Sequence, residues 1–244
     1  MSKISFLKKL HIWYRERYFW HLKKKSLEAI FSNVYQNNEW GGQPGTFYSG
    51  DGTHSPAAVT YIENVAEFIN DHNIKSVLDI GCGDFTIMQK VLEKTNVHYT
   101  GADVVPALIK HHQKTYTNEQ TFFVTLNAVD DDLPPADLVT IRQVLQHLSN
   151  AHIQKILNKL SAFKYVLITE HMLLGDAVIP NLDKIPGSHI RTRVFSSVFI
   201  NLPPFNILNA KVLFESRSDE KVKSKVFPAV LRTYLITGNS IHDS

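Results

Sequence analysis

Apolar and polar positions follow two rhythms along this chain. Up to about residue 72 the spacing is helical. Residues 4 to 37 predict helix, broken near Lys25. Ser55-Pro56 is a helix start, with serine as cap and proline in the first turn. The helix it opens runs to about His72 and gathers Val59, Ile62, Val65, Ala66 and Ile69 on one face. Between these two helices, residues 38 to 55 hold five glycines and one proline and read as a long loop. Loops of that length in a compact domain are usually functional or disordered. Trp40, Phe47, Tyr48 and His54 among the glycines favour function.

From Lys75 short apolar runs alternate with helical stretches. Strands are predicted at Ser76 to Ile80, Val97 to Asp103, Thr121 to Leu126, Asp137 to Ile141 and Lys164 to Thr169. Helices are predicted at Asp84 to Lys94, Pro106 to Tyr116, Gln143 to Leu148 and Ala151 to Leu160. This order implies a mainly parallel sheet with helices on both faces. Residues 172 to 209 lose the rhythm. Two further strand-like runs follow, Lys211 to Glu215 and Ala229 to Thr237, and the polar stretch Ser216 to Ser224 joins them as a hairpin connection would. The chain divides into an N-terminal helical extension with a glycine-rich lid loop (1–55) and an α/β domain (56–244).

Composition narrows the class. An apolar fraction of 43% and a charged fraction of 20% are ordinary for a globular protein. One cysteine, Cys82, excludes an internal disulfide framework and a cysteine-rich zinc site, which fits a reducing cytoplasm. His111-His112 lacks metal-ligand spacing and reads as helix surface, so no metal is expected. No apolar run reaches the roughly 18 residues of a membrane span, and lysines interrupt the N-terminus where a signal peptide would be apolar. The net charge of +3 is too small to point to nucleic acid. Basic residues concentrate at Lys3, Lys8, Lys9, Arg15, Arg17 and Lys23 to Lys25, interleaved with aromatics. Such a helix either rests on an anionic membrane or a protein partner, or packs on its own domain with its lysines in solvent.

The chemistry sits at the first strand. Ligands of open α/β sheets bind beyond the carboxyl ends of the strands, and there the chain reads Asp79-Ile80-Gly81-Cys82-Gly83. Two glycines let the backbone turn tightly against a ligand. Asp103, twenty residues after Gly83, ends the second strand and can accept from both hydroxyls of a ribose. A dinucleotide site needs a third glycine under its pyrophosphate, where this chain has Thr86. Asp79 would repel a pyrophosphate and suits an ammonium group. A ribose, an amino acid and no phosphate describe S-adenosylmethionine.

The run Val77 to Phe85 resembles the first motif of class I S-adenosylmethionine-dependent methyltransferases, and Gly101-Ala102-Asp103 resembles their second. Residues 137–148 resemble their fourth strand with its following helix, and the terminal hairpin resembles their reversed last strands. Trp40-Gly41-Gly42, the loop Ser49 to Thr53, Cys82 to Phe85, Arg142 to Ser149 and Thr169-Glu170-His171 are similar to a bacterial group that often accompanies surface-polysaccharide biosynthesis. The resemblance implies a Rossmann-like, seven-stranded, mainly parallel sheet with a C-terminal antiparallel hairpin. It implies cofactor contacts at Asp79, Gly81, Cys82, Gly83, Phe85, Asp103, Val104, Asn127, Ala128, Arg142 and Gln143. Asn127 stands where such proteins commonly carry an acid against the adenine amino group; the acidic turn Asp130 to Asp132 follows it.

The acceptor must come from elsewhere in the chain. A hydroxyl acceptor needs a base. His147, on the predicted helix with Gln143 one turn before it, and His171, at the end of the fifth strand, are the candidates. Successive strand residues point opposite ways, so His171 is expected in the pocket with Glu170 behind it. Trp40, Tyr48, Ser49 and His54 are candidate lid and substrate residues, joined by Glu170. Arg191 and Arg193 are candidates for an anionic substrate group. The leading expectation is methyl transfer to a hydroxyl of a small molecule, sugar or polysaccharide precursor. A small amine acceptor, or a non-catalytic cofactor-binding scaffold, stand as alternatives.

Overall fold

The computed structural model describes residues 24–222 and 224–238. The basic aromatic segment through Lys23 lies outside the described residues, and so does the expectation attached to it. Among the described residues no helix is long and apolar enough to cross a membrane.

The centre is a seven-stranded sheet in the order β3-β2-β1-β4-β5-β9-β8. Its strands are β1 (Ser76–Ile80), β2 (His98–Asp103), β3 (Thr121–Thr125), β4 (Leu138–Arg142), β5 (Tyr165–Leu173), β8 (Lys211–Val222) and β9 (Lys225–Thr237). Two short strands, β6 (Ile179–Pro180) and β7 (Ser196–Ser197), pair separately. β1 to β5 run parallel, while β9 is antiparallel to both β5 and β8. From β1 the chain builds outward through β2 and β3, then returns to place β4 on the other side. The crevice beyond the carboxyl ends of β1 and β4 is therefore the switch point where a ligand is expected.

Alternation along the buried strands explains the two layers of helix. Leu78, Ile80, Val139, Ile141, Val166 and Ile168 pack with α1 (Leu27–Gln36) and α5 (Asn150–Lys159). Val77, Leu138 and Leu167 point the other way, onto α2 (Pro56–Asp71) and α3 (Thr86–Leu92). α4 (Pro106–Thr115) connects β2 to β3. Ser26 and Ser149 cap α1 and α5 by accepting from Ala29 N and His152 N. Ser55 precedes Pro56 as expected, but its hydroxyl donates to Gly52 O instead of capping.

Three local expectations are corrected. Gln143 to Leu148 is not a helix: Gln143 has φ +57°, and only Leu145–His147 form a 3-10 turn. Gln143 and His147 therefore share no helical face. The run Ser216 to Ser224 is not a connection, because β8 continues to Val222 and β9 begins at Lys225. Its polar residues alternate between the two faces of an edge strand, which a reading that equates polarity with loops misses. His112 is not surface but buried, with Nε2–H donating to Gly83 O at 2.7 Å.

Candidate functional site

A cavity of about 630 Å³ opens at the switch point. Its base is the turn Gly81 to Gly83, whose two glycines have φ +72° and +55°. A Cβ on Gly81 would lie 2.4 Å from Val144 Cγ2, and one on Gly83 would lie 2.5 Å from Ser49 Oγ. Neither position admits a side chain, so backbone alone faces the ligand there. Phe85 also has positive φ (+65°) and starts α3, but its ring turns beneath the turn against Tyr99 and Phe123. It does not line the cavity, which corrects its expected contact with the cofactor.

The glycine loop before α2 closes one side. Asp84 N donates to Ser49 Oγ at 2.8 Å, and Ser49 N donates to Asp84 Oδ2 at 2.8 Å. Tyr35 Oη lies 3.0 Å from Ser49 Oγ. This reciprocal clasp ties the N-terminal unit to the glycine turn. Arg142 adds a second tie: it donates to Gly52 O at 3.0 Å and stacks over Tyr61 at 5.2 Å. Its Nε is buried with no partner, although its side chain lines the cavity. Ser49 thus faces the cavity as expected. Tyr48 and His54 do not: their rings stack on each other at 5.9 Å, Tyr48 bonds Asp51, and neither lines the cavity. Trp40 does line it, held by Nε1–H donating to Ser188 O at 3.1 Å.

Asp79 and Asp103 sit in the wall beside the glycine turn. Asp103 Oδ1 accepts from Val105 N at 3.1 Å and Oδ2 from Gly83 N at 3.3 Å. Each oxygen keeps one lone pair, which matches the two hydroxyl donors of a ribose. Asp79 accepts from Thr140 at 2.7 Å and Tyr99 at 2.9 Å and likewise keeps two lone pairs. Burial pushes both carboxyls up to about 6. Val104, Cys82, Ala128 and Gln143 also line the cavity. Asn127 lines it too, but its amide is committed to its own turn, with Oδ1 accepting from Val129 N and Nδ2 donating to Asp130. One Oδ1 lone pair remains for an adenine.

A ligand ammonium beside Asp79 would favour its ionised form, so binding releases a proton when the free carboxyl is protonated. S-adenosylhomocysteine affinity is therefore expected to fall from pH 7 to pH 5 by about tenfold for each of the two acids that the ligand needs ionised, and to level off above pH 7. Calorimetry across that range checks it. A flat profile would mean that neither acid meets the ligand.

The acceptor end lies beyond β4 and β5. His147 lines the cavity beside Trp40, at a ring separation of 5.2 Å, with Nδ1–H donating to Gly187 O at 3.2 Å. Nε2 is then the nitrogen with a free lone pair. Burial, followed by the Lys184 charge, lowers its pKa to about 3. His171 lines the cavity from β5. Glu170 faces away: it is 1% exposed and accepts from Leu145 N at 2.8 Å and Gln146 N at 3.2 Å. It holds the turn that carries His147 and corrects the expectation of a substrate contact. Arg191 is also buried, donating to Leu148 O and Leu182 O, while Arg193 reaches the cavity in its place. Sequence reading missed Ser218 and Glu220 of β8, which line the cavity. No apolar alternation marks them, because Glu215 to Lys221 are all polar and only Phe214 and Val222 at the two ends keep the same two-residue phase.

Residues 78–163 match a family model described as a methyltransferase domain. The matched stretch runs from β1 to the end of the segment after α5, so the glycine turn and Asp103 fall inside it. A search of curated proteins finds no match. Among solved structures, the chain is similar to the N-methyltransferase NodS of Bradyrhizobium japonicum WM9 in complex with S-adenosylhomocysteine, at 10% identity and TM-score 0.51, over 74% of this chain and 88% of that one. It is similar to TehB of Haemophilus influenzae at 13% identity and TM-score 0.51, over 85% and 67%. It is also similar to the N-terminal domain of EvdMO1, solved in the presence of S-adenosylhomocysteine and D-fucose, at 12% identity and TM-score 0.52, over 86% and 96%. Identities this low speak to the fold.

Proposed function

We propose that this methyltransferase-domain protein uses S-adenosylmethionine as methyl donor and acts on a hydroxyl of a small molecule, most specifically a sugar or polysaccharide precursor. The cofactor supplies an electrophilic methyl group on a sulfonium. Asp103 would hold the ribose hydroxyls, Asp79 the ammonium end, the Gly81 to Gly83 backbone the centre, and the strand ends at Val104 and Asn127 to Ala128 the adenine.

The observation that carries the hydroxyl reading is two histidines in the one cavity, His147 and His171, each with a ring nitrogen placed to accept a proton. An alcohol needs such a group because its own pKa is far above 7. His147 is held neutral by burial and suits orienting an acceptor hydroxyl by accepting its hydrogen bond. Trp40 offers an aromatic face beside it, a surface that suits the C–H face of a sugar ring.

An amine acceptor draws support from a different observation, the carboxylate of Glu220 beside His171 in the cavity. The two readings separate in one assay. The protein is incubated with S-adenosylmethionine and either methyl glycosides or amino sugars and small amines, and products are read by mass spectrometry. Methylated methyl glycosides are expected, with His147→Ala lowering kcat/KM about a hundredfold. Transfer to amines alone would overturn the hydroxyl reading.

A further inference from the structure

We propose that His171, Glu220 and Ser218 form the proton-accepting half of the acceptor subsite, in which Glu220 orients His171 as base and Ser218 marks where a neutral, hydroxyl-rich acceptor presents its reacting oxygen. This rests on the methyltransferase reading above.

The three residues come from two strands that are not neighbours. His171 on β5 is in register with Leu231 of β9, which is in register with Ser216 of β8. Ser218 and Glu220 follow Ser216 on the same face at intervals of two. The His171 ring crosses above Leu231, which lines the cavity, and meets β8 there. Its Nε2 lies 3.0 Å from Ser218 Oγ, and its Nδ1 lies 3.4 Å from Glu220 Oε2. The other Glu220 oxygen accepts from the Thr192 hydroxyl at 3.3 Å, which fixes the carboxylate. The side chains of His171 and Glu220 are only 14% and 18% exposed, so their interaction is screened less than a surface pair.

The roles follow from what each group can donate. A carboxylate only accepts, so the nitrogen facing Glu220 carries the hydrogen. Nε2 then holds a lone pair, and a hydroxyl already sits within reach of it. When an acceptor oxygen takes the methyl group, the carbon–sulfur bond breaks with its electron pair left on sulfur. The acceptor's proton passes to Ser218 Oγ as the Ser218 proton passes to Nε2, and the resulting imidazolium is paired with Glu220 until water takes the proton away. Burial lowers the His171 pKa and Glu220 raises it, so the resting ring is neutral while its protonated form has a counter-charge. Arg193 and Asp219 are the other charged groups at this end of the cavity. His147 lacks any such support: the charges acting most strongly on it are the cations Lys184 and Arg191. The Glu220 carboxylate beside His171 disfavours an anionic group next to the reacting oxygen and can accept from a further hydroxyl, which is polyol chemistry.

The test uses the full chain with S-adenosylhomocysteine bound and 15N-labelled histidine rings. In wild type and in Ser218→Ala, His171 is expected as the Nδ1–H tautomer. In Glu220→Gln its pKa is expected to fall, because the counter-charge that raises it is lost, with S-adenosylhomocysteine affinity changed less than twofold. A His171 ring protonated on Nε2, or a titration unmoved by Glu220→Gln, would overturn the proposal. Failure of the wild type to bind S-adenosylhomocysteine would instead overturn the cofactor reading, and the ring spectra of the free protein would still decide the pairing.

Discussion

Gly81→Ala is expected to weaken S-adenosylmethionine binding at least thirtyfold. The residue has φ +72°, where an alanine costs about 1 kcal/mol or more. Its new methyl would overlap Val144 Cγ2 at 2.4 Å, and forced repacking in a filled site costs about 1–3 kcal/mol. Together these exceed about 2 kcal/mol, and the free turn relieves them by leaving the geometry that receives the ligand, so binding must restore that geometry and loses the stated factor. The strain falls on the turn that faces the ligand and on Val144, which follows the left-handed Gln143. Gly45→Ala separates the two causes. It also has positive φ (+82°), but a Cβ there meets nothing within 4 Å. Gly45→Ala is expected to leave binding within about threefold, since strain there lies away from the cavity. Equal losses in the two variants would show that close approach to Val144 is not what the glycine protects.

Glu170→Gln is expected to flatten the dependence of stability on pH. The buried Glu170 carboxyl is pushed up to about 8, chiefly by burial, against an ordinary value near 4.5. Across pH 4.5 to 8 the folded state therefore binds more protons than the unfolded one. The associated stability is fully present below about 4.5 and is lost as pH rises through about 8. The full effect is on the order of several kcal/mol. Asp79 and Asp103 add slope in the same direction, but both remain in the variant, so comparison with wild type isolates Glu170. Glu170→Ala adds a second effect. It leaves the buried N–H groups of Leu145 and Gln146 without their acceptor, at about 1–3 kcal/mol each. Urea midpoints between pH 5 and pH 8 measure both. A variant with the wild-type slope would show that Glu170 is not the group that titrates.

The sheet was legible because each buried strand is a short apolar run between turn signals, and because the glycine turn and Asp103 fall at fixed distances from strand ends. The same logic placed the cavity at the switch point. What escaped was set by tertiary position. Glu170 and His171 are adjacent in sequence, and only their opposite directions on a strand that continues to Leu173 send one to the cavity and the other to a backbone turn. Arg191 and Arg193 differ likewise, although both are arginines in an irregular segment. Tyr48 and His54 look like lid residues by composition, yet they satisfy each other on the far side of their loop. The polar residues of β8 suggest solvent, whereas Ser216, Ser218 and Glu220 lie along the inner face of an edge strand. His112 was read as surface because nothing in its helix shows that Gly83 O needs a donor.

The claim on which the rest depends is that the cavity beyond β1 and β4 takes S-adenosylmethionine through Asp103. Isothermal calorimetry of the full chain with S-adenosylhomocysteine, in wild type and Asp103→Ala, decides it. Saturable binding at one site is expected for the wild type, weakened about a hundredfold or more in the variant, because two hydrogen bonds to a charged group are lost. No binding by the wild type at millimolar ligand, or equal affinity in the two proteins, would contradict it.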